Sequence, residues 1–308
     1  MKVKYLFSSL IFLTLSTLMS QEIKSSELLL PTSNITLSYH EAGTGDHTVV
    51  LIHGLGSNAK AYQKNIPALS EKAKVVALDL PGFGNTKLGD FVPGMDNYAK
   101  VVSEFITLKK WERVTLVGHS MGGQIAMQLA ASQQPDWLKN MVLLAPAGLE
   151  QFSQDDKNWF QAVVNNQLYL NLTDAQIQQN FNINFYGAKV PDDAQFMVND
   201  RFEIKKDTEK YKTYVSTVVR SIHAMLAEPV YDKIADIKVP IQVIYGKNDM
   251  LIPNKILHPQ LSLDDLLEKL RIDYPKIRIQ QLDEAGHFVL WDQSDAVNTC
   301  IIETIDGK

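Results

Sequence analysis

The chain predicts an α/β fold, a mostly parallel sheet flanked by helices. Three observations carry this. Short apolar runs such as Val49-Val50-Leu51-Ile52 and Ile241-Gln242-Val243-Ile244 read as strands buried on both faces. They alternate with segments of helical apolar spacing. One run, Val114-Thr115-Leu116-Val117, leads directly into Gly118-His119-Ser120-Met121-Gly122 and then into helix-forming Gln124-Ile125-Ala126-Met127, a strand–turn–helix order.

The elements follow in sequence. Residues 35–41 alternate apolar and polar, as a half-exposed strand does. Gly43-Thr44-Gly45-Asp46 predicts a hairpin-type turn. Residues 48–53 read as a buried strand, 58–70 as a helix and 74–79 as the next strand, closed by the turn Leu80-Pro81-Gly82-Phe83-Gly84. Helical spacing covers 95–111. Strands follow at 113–118 and 141–145. The rhythm then stops. Residues 148–229 hold no buried-strand run and are rich in Gln, Asn and aromatic residues, so they read as a helical lid with 211–226 its clearest helix. Strands resume at 240–246 and 276–282, and a helix closes the chain at 289–304. The organisation expected is a first core segment at 21–147, the lid at 148–229 and a second core segment at 230–308.

Composition narrows the class. The chain is 45% hydrophobic and 21% charged, as an ordinary globular protein is. A net charge of −5, with no basic cluster after the N-terminus, argues against a nucleic-acid partner. Cys300 is the only cysteine, so no internal disulfide and no Cys/His zinc spacing exists; it is expected as a small buried residue on the last helix. Residues 1–20 carry Lys2 and Lys4, an apolar run over 5–19 and the small Ser20. That pattern predicts a signal peptide and a secreted or periplasmic protein, with an uncleaved membrane anchor as the alternative. The run is shorter than the ~20 residues of a membrane span, and no cysteine at its end supports lipid attachment.

The chemistry begins at Ser120. A strand turning sharply into a helix projects a serine hydroxyl from the top of a sheet, and Gly118 and Gly122 remove the Cβ atoms that would crowd the turn. The helix N-terminus there favours developing negative charge. A serine hydroxyl needs a base, and the base needs an orienting acid. Tyr245-Gly246-Lys247-Asn248-Asp249 places Asp249 just past a strand end, and Asp283-Glu284-Ala285-Gly286-His287 places His287 after the last strand. Sites in open parallel sheets gather at those carboxyl ends. An aspartate after a strand is also an ordinary turn former, and Asp283, Asp232 and Asp236 are rival acids. The oxyanion donors expected are the backbone N–H of Met121 and that of Leu55 in His53-Gly54-Leu55-Gly56. His53 reads as a residue that holds this loop by hydrogen bonds rather than as the base. His119 reads as packing.

Taken together, Gly118-His119-Ser120-Met121-Gly122-Gly123, His53-Gly54-Leu55-Gly56, Asp79-Leu80-Pro81-Gly82-Phe83-Gly84, Gly246-Lys247-Asn248-Asp249 and Ala285-Gly286-His287 resemble the α/β-hydrolase superfamily. The resemblance implies an eight-stranded, mostly parallel sheet with a helical lid after the sixth strand. It implies Ser120, Asp249 and His287 as a catalytic triad, with Leu55 and Met121 as oxyanion donors. The loop and elbow are most similar to those of small esterases, monoacylglycerol lipases and C–C bond hydrolases. Haloalkane dehalogenases and epoxide hydrolases of this fold use an aspartate where this chain has Ser120. Proline-specific peptidases carry an acidic lid cluster with no clear equivalent here. Residues 251–274 depart from the family pattern in length, with His258-Pro259 and an acidic run.

The function expected is hydrolysis of a small-molecule carboxylic ester with an apolar portion, without metal or organic cofactor. One alternative keeps the triad and cleaves the C–C bond of a vinylogous diketone; Pro146-Ala147-Gly148-Leu149 is similar to such relatives, while export counts against them. The other is a non-catalytic ligand-binding protein on the same scaffold.

Overall fold

The computed structural model describes residues 22–307, and the signal peptide expected at residues 1–20 lies outside them. Within these residues one sheet holds β1 (Lys24–Leu30), β2 (Ile35–Ala42), β3 (Thr48–Ile52), β4 (Lys74–Leu78), β5 (Val114–His119), β6 (Leu138–Leu144), β7 (Ile241–Gly246) and β8 (Arg278–Leu282). Their order across the sheet is β1-β2-β4-β3-β5-β6-β7-β8. The β1–β2 and β2–β4 pairs are antiparallel, and the remaining pairs are parallel.

Helices cover both faces. They are α1 (Ile66–Ser70), α2 (Met95–Leu108), α3 (Met121–Gln133), α9 (Leu263–Asp273), α10 (Val289–Asp292) and α11 (Ser294–Ile305), with α4 (Gln154–Val163), α5 (Asn166–Leu170), α6 (Asp174–Asn182), α7 (Gln195–Lys206) and α8 (Thr208–Ala227) all lying between β6 and β7 in the chain. Alternation along β3 divides the core. Val50 and Ile52 join Leu116, Met141, Leu143 and Val243 in the cluster that holds α2, α3 and α9. Val49 and Leu51 join Val117, Val142, Leu144 and Ile244 in the cluster that holds α1 and α11. A strand's side chains point alternately to its two faces, so a strand covered on both sides is apolar throughout.

The helices between β6 and β7 are started by local signals. Ser153 with Asp156 and Thr173 with Gln176 form capping boxes at α4 and α6, and the Asp207 side chain caps α8. Along α8, Tyr211, Tyr214, Val215, Val218 and Ile222 recur at helical spacing and join the core.

Three expectations are corrected, and one strand is added to those expected. The hairpin predicted at residues 43–46 does not form, because β4 lies between β2 and β3 and the turn must span it. The helix predicted over 58–70 is split into a 3₁₀ turn, Ala59–Tyr62, and α1, which restarts with Pro67 in its first turn, where a missing N–H costs nothing. The closing helix is split at Gln293, whose φ of −126° and ψ of 49° leave the helical region. Strand β1 carried no strand signal, since Lys24-Ser25-Ser26-Glu27 has no apolar face to bury on this sheet edge.

Candidate active site

Ser120 joins the last residue of β5 to the first of α3. Its backbone holds φ 52° and ψ −119°, a conformation rare outside glycine. Neighbouring backbone keeps it there. Ser120 N–H donates to Leu144 O at 2.9 Å, and Ser120 O accepts from Gly123 N–H at 2.8 Å and from Ala147 N–H at 3.0 Å. The flanking glycines are required by packing. A Cβ on Gly118 would lie 2.4 Å from Gly122 O, and one on Gly122 would lie 2.2 Å from Ile52 O.

His287 stands in the loop after β8 and Asp249 in the loop after β7. His287 Nδ1 lies 2.8 Å from Asp249 Oδ2, and both side chains are buried. An ionised carboxylate only accepts, so Nδ1–H donates and Nε2 is left with its lone pair free to take a proton. The other carboxylate oxygen, Oδ1, accepts from Leu251 N–H at 2.8 Å and Ile252 N–H at 3.0 Å, which fixes the acid's rotamer. Gly246 lets the two loops meet backbone to backbone: a Cβ there would lie 2.3 Å from Ala285 O. Asn248 N–H donates to Ala285 O at 2.9 Å across the same junction. Of the rival acids, Asp283 is paired with Lys247 at the surface, Asp232 lines the cavity, and Asp236 ends a 3₁₀ turn after α8.

The loop after β3 runs beside the serine; a Cβ on Gly54 would lie 3.1 Å from Ser120 Cβ. His53 holds the loop. Its Nδ1–H donates to Gly54 O at 2.8 Å, while its Nε2 accepts from Leu80 N–H at 3.0 Å. Burial lowers its pKa, in keeping with a neutral ring whose two nitrogens are both engaged. In a trans peptide, C=O and N–H point in opposite directions. Fixing Gly54 O toward His53 therefore turns the Leu55 N–H the other way. Among the described residues neither Leu55 N–H nor Met121 N–H donates a hydrogen bond within the protein. His119 is buried, and its Nε2–H donates to His287 O at 3.0 Å. Burial, then the nearby His287, hold its pKa well below the usual histidine value.

Ser120, His287, Leu55 and Asp232 line a cavity of about 790 Å³, within the range of small-molecule sites. Much of its wall is apolar: Tyr214, Val218, Ile222 and Met225 of α8, with Phe160 and Phe181. Of the aromatic residues of segment 148–229, Phe152, Phe160, Tyr169, Phe181 and Tyr214 line the cavity, whereas Phe185 is fully buried and Phe196 packs on Trp291.

Two supports escaped the sequence. Glu150, just after β6, accepts from Asn254 N–H at 2.9 Å and pairs with His258 Nδ1 at 2.5 Å. Burial raises the Glu150 pKa; at His258 burial opposes the charge, but Glu150 and Asp156 outweigh it and the net shift is upward. This half-buried pair ties the loop that follows Asp249 to the start of the helical segment, and accounts for His258 in the stretch that departs from the family pattern. Asp292 of α10 accepts from Gly286 N–H at 2.8 Å and Tyr186 N–H at 2.9 Å, tying the His287 loop to the helical segment from the other side. Neither support has a local signature, since the partners meet only in three dimensions. Cys300 is buried on α11, as expected. Among the described residues no group of three or more His, Cys, Asp or Glu is placed to hold a metal ion, and no helix is long and apolar enough to cross a membrane.

Residues 47–294 match a family model described as alpha/beta hydrolase fold. Over 283 residues the chain is 26% identical to an uncharacterized hydrolase, YugF, of Bacillus subtilis strain 168, covering 86% of this chain and 92% of that one. Over 249 residues it is 28% identical to a 2-hydroxy-6-oxo-6-(2'-aminophenyl)hexa-2,4-dienoic acid hydrolase of Metapseudomonas resinovorans, covering 78% and 80%. An esterase from Exiguobacterium antarcticum has the same fold, with a TM-score of 0.75 at 18% identity, covering 92% of this chain and 100% of that one.

Proposed function

Because the chain belongs to the alpha/beta hydrolase fold family, we propose that it is a serine hydrolase that cleaves carboxylic esters through Ser120, His287 and Asp249. The observation that carries this reading is the buried 2.8 Å His287–Asp249 pair opening on the cavity that Ser120 also lines. His287 Nε2 takes the proton of Ser120 as its Oγ attacks the ester carbonyl. The N–H groups of Leu55 and Met121 receive the oxyanion. Asp249 holds the imidazolium that forms. His287 returns the proton to the leaving alcohol, then activates a water that frees the acid from the acyl-enzyme. The apolar stripe of α8 in the cavity wall suits an apolar acyl or alcohol portion.

The likeness to the dienoic acid hydrolase supports a second reading, C–C bond cleavage by the same residues. One experiment separates them. A fluorophosphonate is expected to label Ser120, and a panel of p-nitrophenyl esters graded by acyl length is expected to be turned over, with kcat lower by roughly 10⁶ in Ser120→Ala. Loss of a coloured ring-cleavage dienoate with little ester turnover would favour C–C cleavage. Wild-type protein that neither labels nor turns over either class would sink both readings and leave a binding protein.

A further inference from the structure

We propose that Arg201 and Tyr214, on α7 and α8, are positioning residues for the oxyanion loop, so that this loop is held in shape only when the helical segment is seated. The inference rests on the reading of Leu55 N–H as an oxyanion donor.

The loop has two arms around Leu55. On one side, Gly54 O is held by the core through His53. On the other side, Gly56 O is held by the helical segment: Arg201 Nη2 donates to it at 3.0 Å and Tyr214 Oη at 3.3 Å. Gly56 has φ +67°, and a Cβ there would lie 2.6 Å from Tyr214 Oη and 3.1 Å from Arg201 Nη2. The clamp therefore occupies the space a side chain would take. Glycine reaches this conformation without strain, but it brings no side chain to keep the loop there. The helical segment supplies from outside what the loop lacks.

The clamp is itself built with care for orientation. The Arg201 guanidinium lies 4.0 Å from the Tyr214 ring centroid and 5.5 Å from that of Phe181, so α6, α7 and α8 all converge on one carbonyl. A planar guanidinium stacked on a ring has its donors aimed, where a lysine would present a freely rotating ammonium. Arg201 thus bonds this backbone oxygen while its guanidinium rests against two ring faces. Gly56, Arg201, Tyr214 and Phe181 border both the main cavity and a smaller one of about 260 Å³ behind the loop.

The test compares wild type with Arg201→Met, which keeps the stem and removes the donors, Arg201→Lys, which keeps one charged donor, and Tyr214→Phe, which removes only the hydroxyl. Amide hydrogen exchange over residues 54–58 is expected to rise about 10-fold in Arg201→Met, with β3 and β5 unchanged. Fluorophosphonate labelling of Ser120, and kcat on an ester that the wild type cleaves, are expected to fall about 10- to 100-fold, with KM within about 3-fold and affinity for an alkyl boronic acid falling in step with kcat. Arg201→Lys should recover part of the loss, and Tyr214→Phe should lose only about 2- to 5-fold. Unchanged exchange and labelling in Arg201→Met would overturn the proposal. So would a rise in KM with kcat intact, which marks a substrate contact. If Arg201→Met does not fold, Arg201→Lys and Tyr214→Phe carry the same readouts. Wild-type protein that does not label removes the hydrolase reading, and the exchange rates alone then decide whether the clamp orders the loop.

Discussion

At Ser120 the backbone stores strain. A non-glycine residue in that region costs about 1–3 kcal/mol, and it persists because the surrounding structure leaves no alternative. The surroundings in question are a few backbone contacts through glycines. Gly122→Ala would drive a Cβ to 2.2 Å from the Ile52 carbonyl, a rigid atom at the end of β3. We expect that substitution to lower stability by about 3 kcal/mol or more. A urea titration reads it as a drop in midpoint at constant slope, and an unchanged midpoint would contradict the packing described. Such residues are legible in sequence because the demand for a missing Cβ leaves a fixed mark at a fixed spacing. His53 is legible for a similar reason, sitting next to the peptide it orients. Glu150 and His258 are not, because their partnership is made across 108 positions of chain with nothing local to announce it.

Among the elements, the loop between β7 and α9 is held by more than the aspartate it carries. Asn254 N–H reaches both oxygens of Glu150, at 2.9 and 3.0 Å, and His258 reaches the same carboxylate. Glu150→Ala leaves a backbone donor and a ring nitrogen without their acceptor, at a cost of about 1–3 kcal/mol. Thermal unfolding should show that loss, and the ester turnover proposed above should fall with it as the loop holding Asp249 loosens. Glu150→Gln keeps an acceptor and should lose less on both measurements. An alanine variant as stable as the wild type would remove the loop's anchor from the account. The strands and helices themselves were read well where each is specified by its own residues: the buried runs of β3, β5 and β7, or the amphipathic spacing of α8. The helices expected over 58–70 and 289–304 are each broken by a local change of backbone, and the other departures fall where an element depends on a distant one. The turn at 43–46 has hairpin composition, yet β4 enters the sheet between its two strands. Strand β1 is defined by its ladder to β2 and by little in its own composition.

For the molecule as a whole, buried neutral histidines set the response to acid. Burial lowers the pKa of both His53 and His119 in the folded chain. The unfolded chain then binds more protons below the ordinary histidine value of about 6.5, so stability falls as pH falls through that value. The slope is at most about 1.4 kcal/mol per pH unit for each histidine. His258 works the other way, since its net upward shift adds stability below about 6.5 that is lost as pH rises through its folded value. Burial, then the nearby Arg113, lower the His47 pKa as well, so three histidines stand against one and the balance is a net loss on the acid side. The urea midpoint is expected to be lower at pH 5.5 than at pH 7.5, and a higher midpoint at pH 5.5 would show that the sign is wrong.

The helical segment lies between two strands that are immediate neighbours. Leu144 of β6 pairs with Ile244 of β7, so the chain leaves the sheet and returns to the adjacent position about 100 residues later. Closing so long a loop costs roughly 4 kcal/mol of chain entropy, but the dependence on length is logarithmic, and doubling the excursion would add only about 0.6 kcal/mol. The sheet is therefore nearly indifferent to how much chain is placed there. Insertions, deletions and reshaped helices can accumulate between β6 and β7 while the strand ends that carry Ser120, Asp249 and His287 stay in register. The room above the strand ends can be rebuilt, provided that Arg201 and Tyr214 still reach the Gly56 carbonyl and Tyr186 N–H still reaches Asp292.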